Sequence, residues 1–131
     1  MTNPFLDALL NADAEITRKV PLKRLGVEVV VKAVDAPTFE EAKKYATTTQ
    51  GSGKKAKESL NTTKLGAALV CEAVVNSPFS DQALMEKVGA MDPTECAEKV
   101  LLAGELLTLM GEIMEISGFD DDEAFIDEAK N

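Results

Sequence analysis

The sequence predicts an α+β fold: a mainly helical single domain in which an N-terminal β-hairpin packs on four to five helices. Residues 27–34 are rich in β-branched side chains, which is typical of a strand. Residues 65–75 are apolar almost throughout, as expected of a helix buried on most sides. Helix-start and helix-stop residues then recur to Gly118. A chain of 131 residues can bury a core as one domain.

The N-terminal elements combine a short helix with the hairpin. Residues 3–10 are mostly apolar and predict one or two turns of helix. Residues 19–24 and 27–34 predict two strands joined by a turn that ends near Gly26. Because an isolated hairpin is marginally stable in water, we expect it to pack against the helices.

A second helix is predicted to follow the hairpin. Thr38 has the side chain of an N-cap, and Glu41 three residues later can complete a capping box. This helix should end near Ala46. Residues 47–53 are polar and contain two glycines, so they predict a loop that connects two halves of the domain.

The C-terminal helices have recognisable boundaries. Ser80 is predicted to cap a short helix that Gly89 ends in the left-handed conformation. Residues 92–95, Asp-Pro-Thr-Glu, predict another helix start, with the aspartate as cap and the proline at the first helical position. The helical pattern continues to about Ser117, and Gly104 is expected to break it into two helices.

Charge is distributed unevenly along a chain whose net charge is −9. Residues 1–64 hold 11 Lys or Arg and 8 Asp or Glu, whereas residues 65–131 hold 3 and 15. We therefore expect one domain over residues 1–118 and an acidic, mobile tail over residues 119–131, which has too little apolar surface to be firmly held. The acidic balance argues against nucleic acid as a partner.

The composition also argues against catalysis and against cofactors. The chain contains no His, the commonest general acid or base and metal ligand. Cys71 and Cys96 are predicted to be buried thiols. Neither a signal peptide nor an apolar run of the roughly 20 residues that span a bilayer is present, so we expect a cytoplasmic protein without membrane contact.

The last predicted helix carries more apolar surface than one packing face needs. Two stripes lie side by side and together cover more than half of its circumference. They predict either a deep core or an exposed partner surface, on which flexible Met side chains are common. The first stripe consists of Leu102, Leu106, Leu109, Ile113 and Ile116, and the second of Val100, Ala103, Leu107, Met110 and Met114.

Short motifs in a fixed order resemble those of a known family. The segment Leu101-Leu102-Ala103-Gly104-Glu105 and the closing Ser117-Gly118-Phe119 are the most specific of them. Ala103 stands where many members have Pro. Over roughly residues 15–119, the sequence resembles the XkdN-like tail assembly chaperones of contractile-tailed phages and related prophage elements.

This resemblance implies a non-enzymatic function. Such chaperones bind the tape measure protein, keep its long helices soluble, help to recruit tail tube subunits, and are absent from the mature virion. Self-association is left open. The residues expected to contact partners are those of the C-terminal helix and the residue that follows it: Leu106, Leu109, Met110, Ile113, Met114 and Phe119.

Two other functions remain open at this point. The acidic tail could serve a small adaptor or regulatory protein that docks on a basic partner. Alternatively, the chain could be a minor structural component of a phage tail.

Overall fold

A computed structural model gives the fold and describes residues 3–12 and 15–119. The predicted α+β class is confirmed. Of the predicted mobile tail, residues 119–131, only Phe119 is among the described residues, and the prediction for residues 120–131 lies outside them. The elements are α1 (Pro4–Asn11), β1 (Thr17–Leu22), β2 (Val27–Lys32), α2 (Ala36–Ala46), β3 (Thr47–Gln50), β4 (Lys57–Leu60), α3 (Thr62–Ala73), α4 (Gln82–Val88), α5 (Pro93–Val100) and α6 (Ala103–Ile116).

The first hairpin forms as predicted, although its first strand lies two residues earlier and its second strand ends two residues earlier than expected. β1 and β2 pair antiparallel, from Thr17 opposite Lys32 to Leu22 opposite Val27. The turn between them ends at Gly26, whose φ of +66° favours glycine. Val31 of β2 also forms a bridge with Val74, just after α3. This bridge attaches the hairpin to the helical core.

A second hairpin replaces the loop that the sequence predicts over residues 47–53. β3 pairs antiparallel with β4, and one turn of 3-10 helix, Gly53–Lys55, lies in the connection. The loop prediction was wrong because every residue of the two strands except the first and the last is exposed. Neither face therefore shows the apolar alternation that marks a strand.

Aspartates cap the helices more often than the sequence pattern suggests. Asp35, not Thr38, caps α2, and its Oδ1 accepts a hydrogen bond of 2.9 Å from the Thr38 amide. Asp81, not Ser80, caps α4 in the same way. The prediction for α5 is confirmed, since Asp92 accepts from the amide three residues later at 2.8 Å. A carboxylate at this position accepts a hydrogen bond from an otherwise unpaired amide and interacts favourably with the positive, N-terminal end of the helix dipole.

The predicted central helix is confirmed as α3, which packs against α2, α5 and α6. Its sequence allows close approach at Gly66, where a Cβ atom would lie 3.4 Å from the Met110 sulfur of α6. The side chains buried along α3 include Leu65, Ala67, Leu69, Val70 and Ala73.

The break between the last two helices falls earlier than predicted. α5 ends at Val100 and α6 begins at Ala103, so Gly104 lies inside the first turn of α6. Leu102 is extended at the break, and its amide donates a 2.8 Å hydrogen bond to Glu105 Oε1. The break therefore depends on a carboxylate that satisfies an amide at the start of α6.

Within the described ranges, no helix combines the length and apolar character needed to cross a membrane.

Candidate partner-binding surfaces

The partner-binding residues predicted on α6 are mostly part of the core. The five side chains Leu106, Leu109, Met110, Ile113 and Met114 are all buried within the chain. The prediction that they form an exposed partner surface is therefore corrected. The two apolar stripes of α6 face two different clusters, because α6 lies between them. Both stripes thus contribute to packing, although Leu102 and Leu107 are exposed.

Phe119, the sixth predicted residue, lies at the edge of the second cluster. Its ring is partly buried against Phe39 of α2, with the two ring centroids 4.9 Å apart. Its amide also donates to the Met114 carbonyl at 3.1 Å. These contacts hold the C-terminal end of α6 against α2.

An apolar groove lies where the turn of the first hairpin approaches α4 and α5. Its volume is about 450 Å³. Leu25 and Val27, at the tip of the hairpin, are half exposed at 47% and 51%. Such a concave apolar surface at the meeting of several elements is typical of binding sites. The lining residues are Leu22, Arg24, Leu25, Val27, Val29, Val74, Pro78, Phe79, Leu84, Lys87, Val88, Val100, Leu101 and Leu109.

The groove contains one residue that the sequence predicts as a partner contact and several that it misses. Leu109 lies at the bottom of the groove and is nearly inaccessible. Among the missed residues, Leu25 did leave a signal in the sequence, because it is a large apolar residue in a turn, where polar residues are expected. Phe79, which follows Pro78, gave no pattern that separates it from core.

Two cations line the groove, and they differ in their partners. Arg24 forms a fork with Glu105 of α6, with Nη2 2.7 Å from Oε1 and Nε 3.0 Å from Oε2. This guanidinium holds the pKa of the Glu105 carboxyl below its usual range. Lys87 of α4 takes part in none of the ion pairs between described residues. The groove is therefore apolar with a positive margin.

The second exposed apolar surface is the N-terminal helix α1. The Asn3 side chain caps it, accepting a 3.1 Å hydrogen bond from the Leu6 amide. None of the residues Pro4–Asn11 is buried. Four large apolar side chains, one or four residues apart in sequence, lie on one face of α1, and their exposed fractions range from 50% to 73%. They are Phe5, Leu6, Leu9 and Leu10. Burying such a side chain is worth about 1.5–3 kcal/mol.

A family model matches residues 6–130, and it describes the phage XkdN-like tail assembly chaperone proteins. The chain belongs to this family. The resemblance predicted from residues 15–119 is thus confirmed, and the match extends on both sides, into α1 and into the acidic tail.

Two relatives of this chain come from Bacillus subtilis (strain 168). The chain is 30% identical to the uncharacterized protein YqbN over 105 residues, which cover 79% of this chain and 70% of YqbN. It is 28% identical to the phage-like element PBSX protein XkdN over 123 residues, which cover 86% of this chain and 83% of XkdN. The crystal structure of the protein YqbN is similar with a TM-score of 0.65 and 25% identity, over 92% of this chain and 99% of that one.

The cysteines of this XkdN-like chain offer little reactivity. Cys96 is buried, as predicted, whereas Cys71 is only partly buried beside a small pocket that Tyr45 and Thr94 also line. Burial raises the pKa of the Cys71 thiol to about 11. At neutral pH this thiol is protonated and is a poor nucleophile. Among the described residues, no group of three or more His, Cys, Asp or Glu is arranged to hold a metal ion.

Proposed function

We propose that this chain is a non-catalytic tail assembly chaperone that binds the tape measure protein and helps to recruit tail tube subunits in the host cytoplasm, without entering the mature virion. The single observation that carries the binding step is the apolar groove between the first hairpin, α4 and α5. Family membership supplies the assembly context.

The groove suits a helical client. Long amphipathic helices present apolar side chains every three or four residues, and apolar grooves bind such helices in many complexes. The hairpin tip provides accessible apolar contacts through Leu25 and Val27, while Leu101 and Leu109 form a buried floor. The positive charge of Lys87 at the margin favours a client helix with acidic residues beside its apolar face.

Co-expression with the tape measure protein of the same phage or prophage element tests the proposal. We expect a soluble complex on size-exclusion chromatography with light scattering. Leu25→Glu should abolish the complex, because it places a charge in the apolar groove. Leu107→Glu is a matched control, since Leu107 is 51% exposed and does not line the groove. A client that stays insoluble with the unmodified chain would overturn the proposal.

A truncation separates the chaperone from the acidic adaptor. The chain should be cut after Phe119, because the Phe119 ring packs on Phe39 and its loss would disturb the core. A chaperone that uses its groove keeps most of its client binding after this truncation. An adaptor that docks through the acidic segment 120–131 loses its binding.

A further inference from the structure

We infer that α1 of one copy of this chain binds in the apolar groove of a second copy, so that two chains exchange their N-terminal helices and form a dimer. This inference goes beyond client binding. It concerns two parts of the chain, the apolar face of α1 and the groove, which match each other in polarity and in charge.

The polarity of the two surfaces is complementary. α1 is a capped helix whose apolar face, Phe5, Leu6, Leu9 and Leu10, is exposed in its own chain. The groove offers an apolar lining with half-exposed side chains at its entrance, among them Leu25 and Val27. Docking one surface on the other removes both from water.

The charges are complementary as well. Residues 3–15 carry three carboxylates, Asp7, Asp13 and Glu15, and no Lys or Arg. Among the residues that the structure describes, the charged ones that line the groove are both cations, Arg24 and Lys87. Since Arg24 already forms its fork with Glu105, Lys87 is the cation with which the acidic N-terminal segment would interact. Opposite charges of this kind orient a partner and exclude like-charged segments.

The position of the groove favours a second copy over the same chain. β1 begins at Thr17, next to the segment that follows α1, whereas the groove lies at the other end of the strand, beyond Leu22. A six-residue strand spans about 17 Å. Residues 12–16, fully extended, span roughly the same distance. Docking in the same chain would therefore use the whole extended length of this segment only to bring α1 to the edge of the groove, leaving none to seat the helix in it, whereas a second copy imposes no such limit.

Reciprocal exchange also increases the contact area. One eight-residue helix is small beside the roughly 800 Å² per partner that a stable interface buries. Two helices exchanged about a twofold axis double that contribution, because each chain provides one helix and one groove.

Light scattering on the full chain alone tests the inference. Over a range of concentrations we expect twice the monomer mass of 14.0 kDa. Leu9→Glu in the helix and Leu25→Glu in the groove should each raise the dissociation constant roughly tenfold or more. Leu107→Glu should leave it unchanged. Lys87→Glu should weaken the dimer, whereas Lys54→Glu, outside the groove, should not.

A mixing experiment identifies which surfaces meet. The Leu9→Glu chain keeps an intact groove, and the Leu25→Glu chain keeps an intact helix. Mixed together, the two variants should form a heterodimer with one helix–groove contact, which is weaker than the unmodified dimer but stronger than the self-association of either variant alone. If α1 instead paired with α1, Leu25→Glu would remain dimeric and the mixture would gain nothing. That result, or a monomer at every concentration, would overturn the inference.

The Leu9→Glu variant also separates this inference from the proposed function. If it still forms a complex with the tape measure protein, while the unmodified chain is monomeric, the exchange is wrong and client binding stands. If the unmodified chain is dimeric but no client complex forms even with the Leu9→Glu variant, whose groove is not occupied by a second copy, the exchange stands and the proposed function fails.

Discussion

Arg24 and Glu105 join the tip of the first hairpin to the start of α6 through a two-pronged ion pair, with hydrogen bonds of 2.7 and 3.0 Å. Arg24 Nη2 also donates to the Val100 carbonyl at the end of α5. Glu105 accepts from the Leu102 amide as well. This ion pair therefore connects the first hairpin, at the margin of the groove, to the break between α5 and α6.

Replacing Glu105 by Gln should lower the stability of the chain and weaken its response to acid. The pKa of Glu105 is lowered, chiefly by its hydrogen bond with Arg24. A group with a lowered pKa in the folded state stabilises it above its unfolded pKa, and this contribution is lost as the pH falls through the folded value. Urea unfolding at pH 7 and at decreasing pH below 4.5, the ordinary value of Glu, measures both effects.

The unmodified chain should thus lose stability more steeply below pH 4.5 than the Glu105→Gln variant does. Asp35 and Glu95, whose pKa values are also lowered by hydrogen bonds, should retain part of the acid response in the variant. Equal slopes for the two proteins would show that the pair contributes nothing to folding.

Truncation of Ile113 tests the assignment of α6 to the core. Ile113 is fully buried, so Ile113→Ala should lower the free energy of unfolding by about 2–5 kcal/mol. Leu107→Ala, on the exposed side of the same helix, should change it by no more than about 0.5 kcal/mol. Similar small effects at both positions, measured by urea unfolding, would mean that this side of α6 is not packed as described.

Gly111 should be replaceable by Ala with a gain in stability. A Cβ atom at Gly111 would meet nothing within 4 Å, and the residue lies inside α6 with an ordinary helical backbone. Ala in a helix interior is favoured over Gly by about 1 kcal/mol. Thermal unfolding should show the increase. If Gly111 allows a partner to approach closely, the same substitution weakens the client complex although the chain itself becomes more stable.

Cys71 should be slow to alkylate at pH 8 and should react faster as the pH approaches 11. The cause is burial, which raises the pKa of its thiol to about 11. Cys96 is buried, so its modification should require unfolding. Mass spectrometry after timed treatment with iodoacetamide distinguishes the two sites. Rapid modification of Cys71 at pH 8 would contradict the burial of its sulfur.

The sequence predicts those elements whose burial leaves a repeating pattern. The first hairpin could be predicted because one of its sides is buried, and α3 could be predicted because it is buried on most sides. The second hairpin escapes prediction because neither of its faces is buried, so its threonines look like those of a loop. Asp35 and Asp81 escape because several polar residues stand near each helix start, and the choice among them depends on the backbone.

The binding surfaces could be predicted only in part. An excess of apolar side chains on α6 was evident, but whether they face solvent depends on how many neighbours surround the helix. The structure places one cluster on each side of α6, and the two clusters use most of both stripes, leaving Leu102 and Leu107 exposed. The groove brings together residues from 22 to 109. No local pattern could reveal a surface composed of such distant segments.

The position of α6 between two clusters has a consequence for how the chain unfolds. Leu106, Leu109 and Ile113 belong to the cluster that holds the first hairpin, while Met110 and Met114 belong to the cluster that holds α2. Neither half can keep its core if α6 leaves. We therefore expect the chain to unfold in a single cooperative transition, with the hairpin and α2 lost together rather than in sequence.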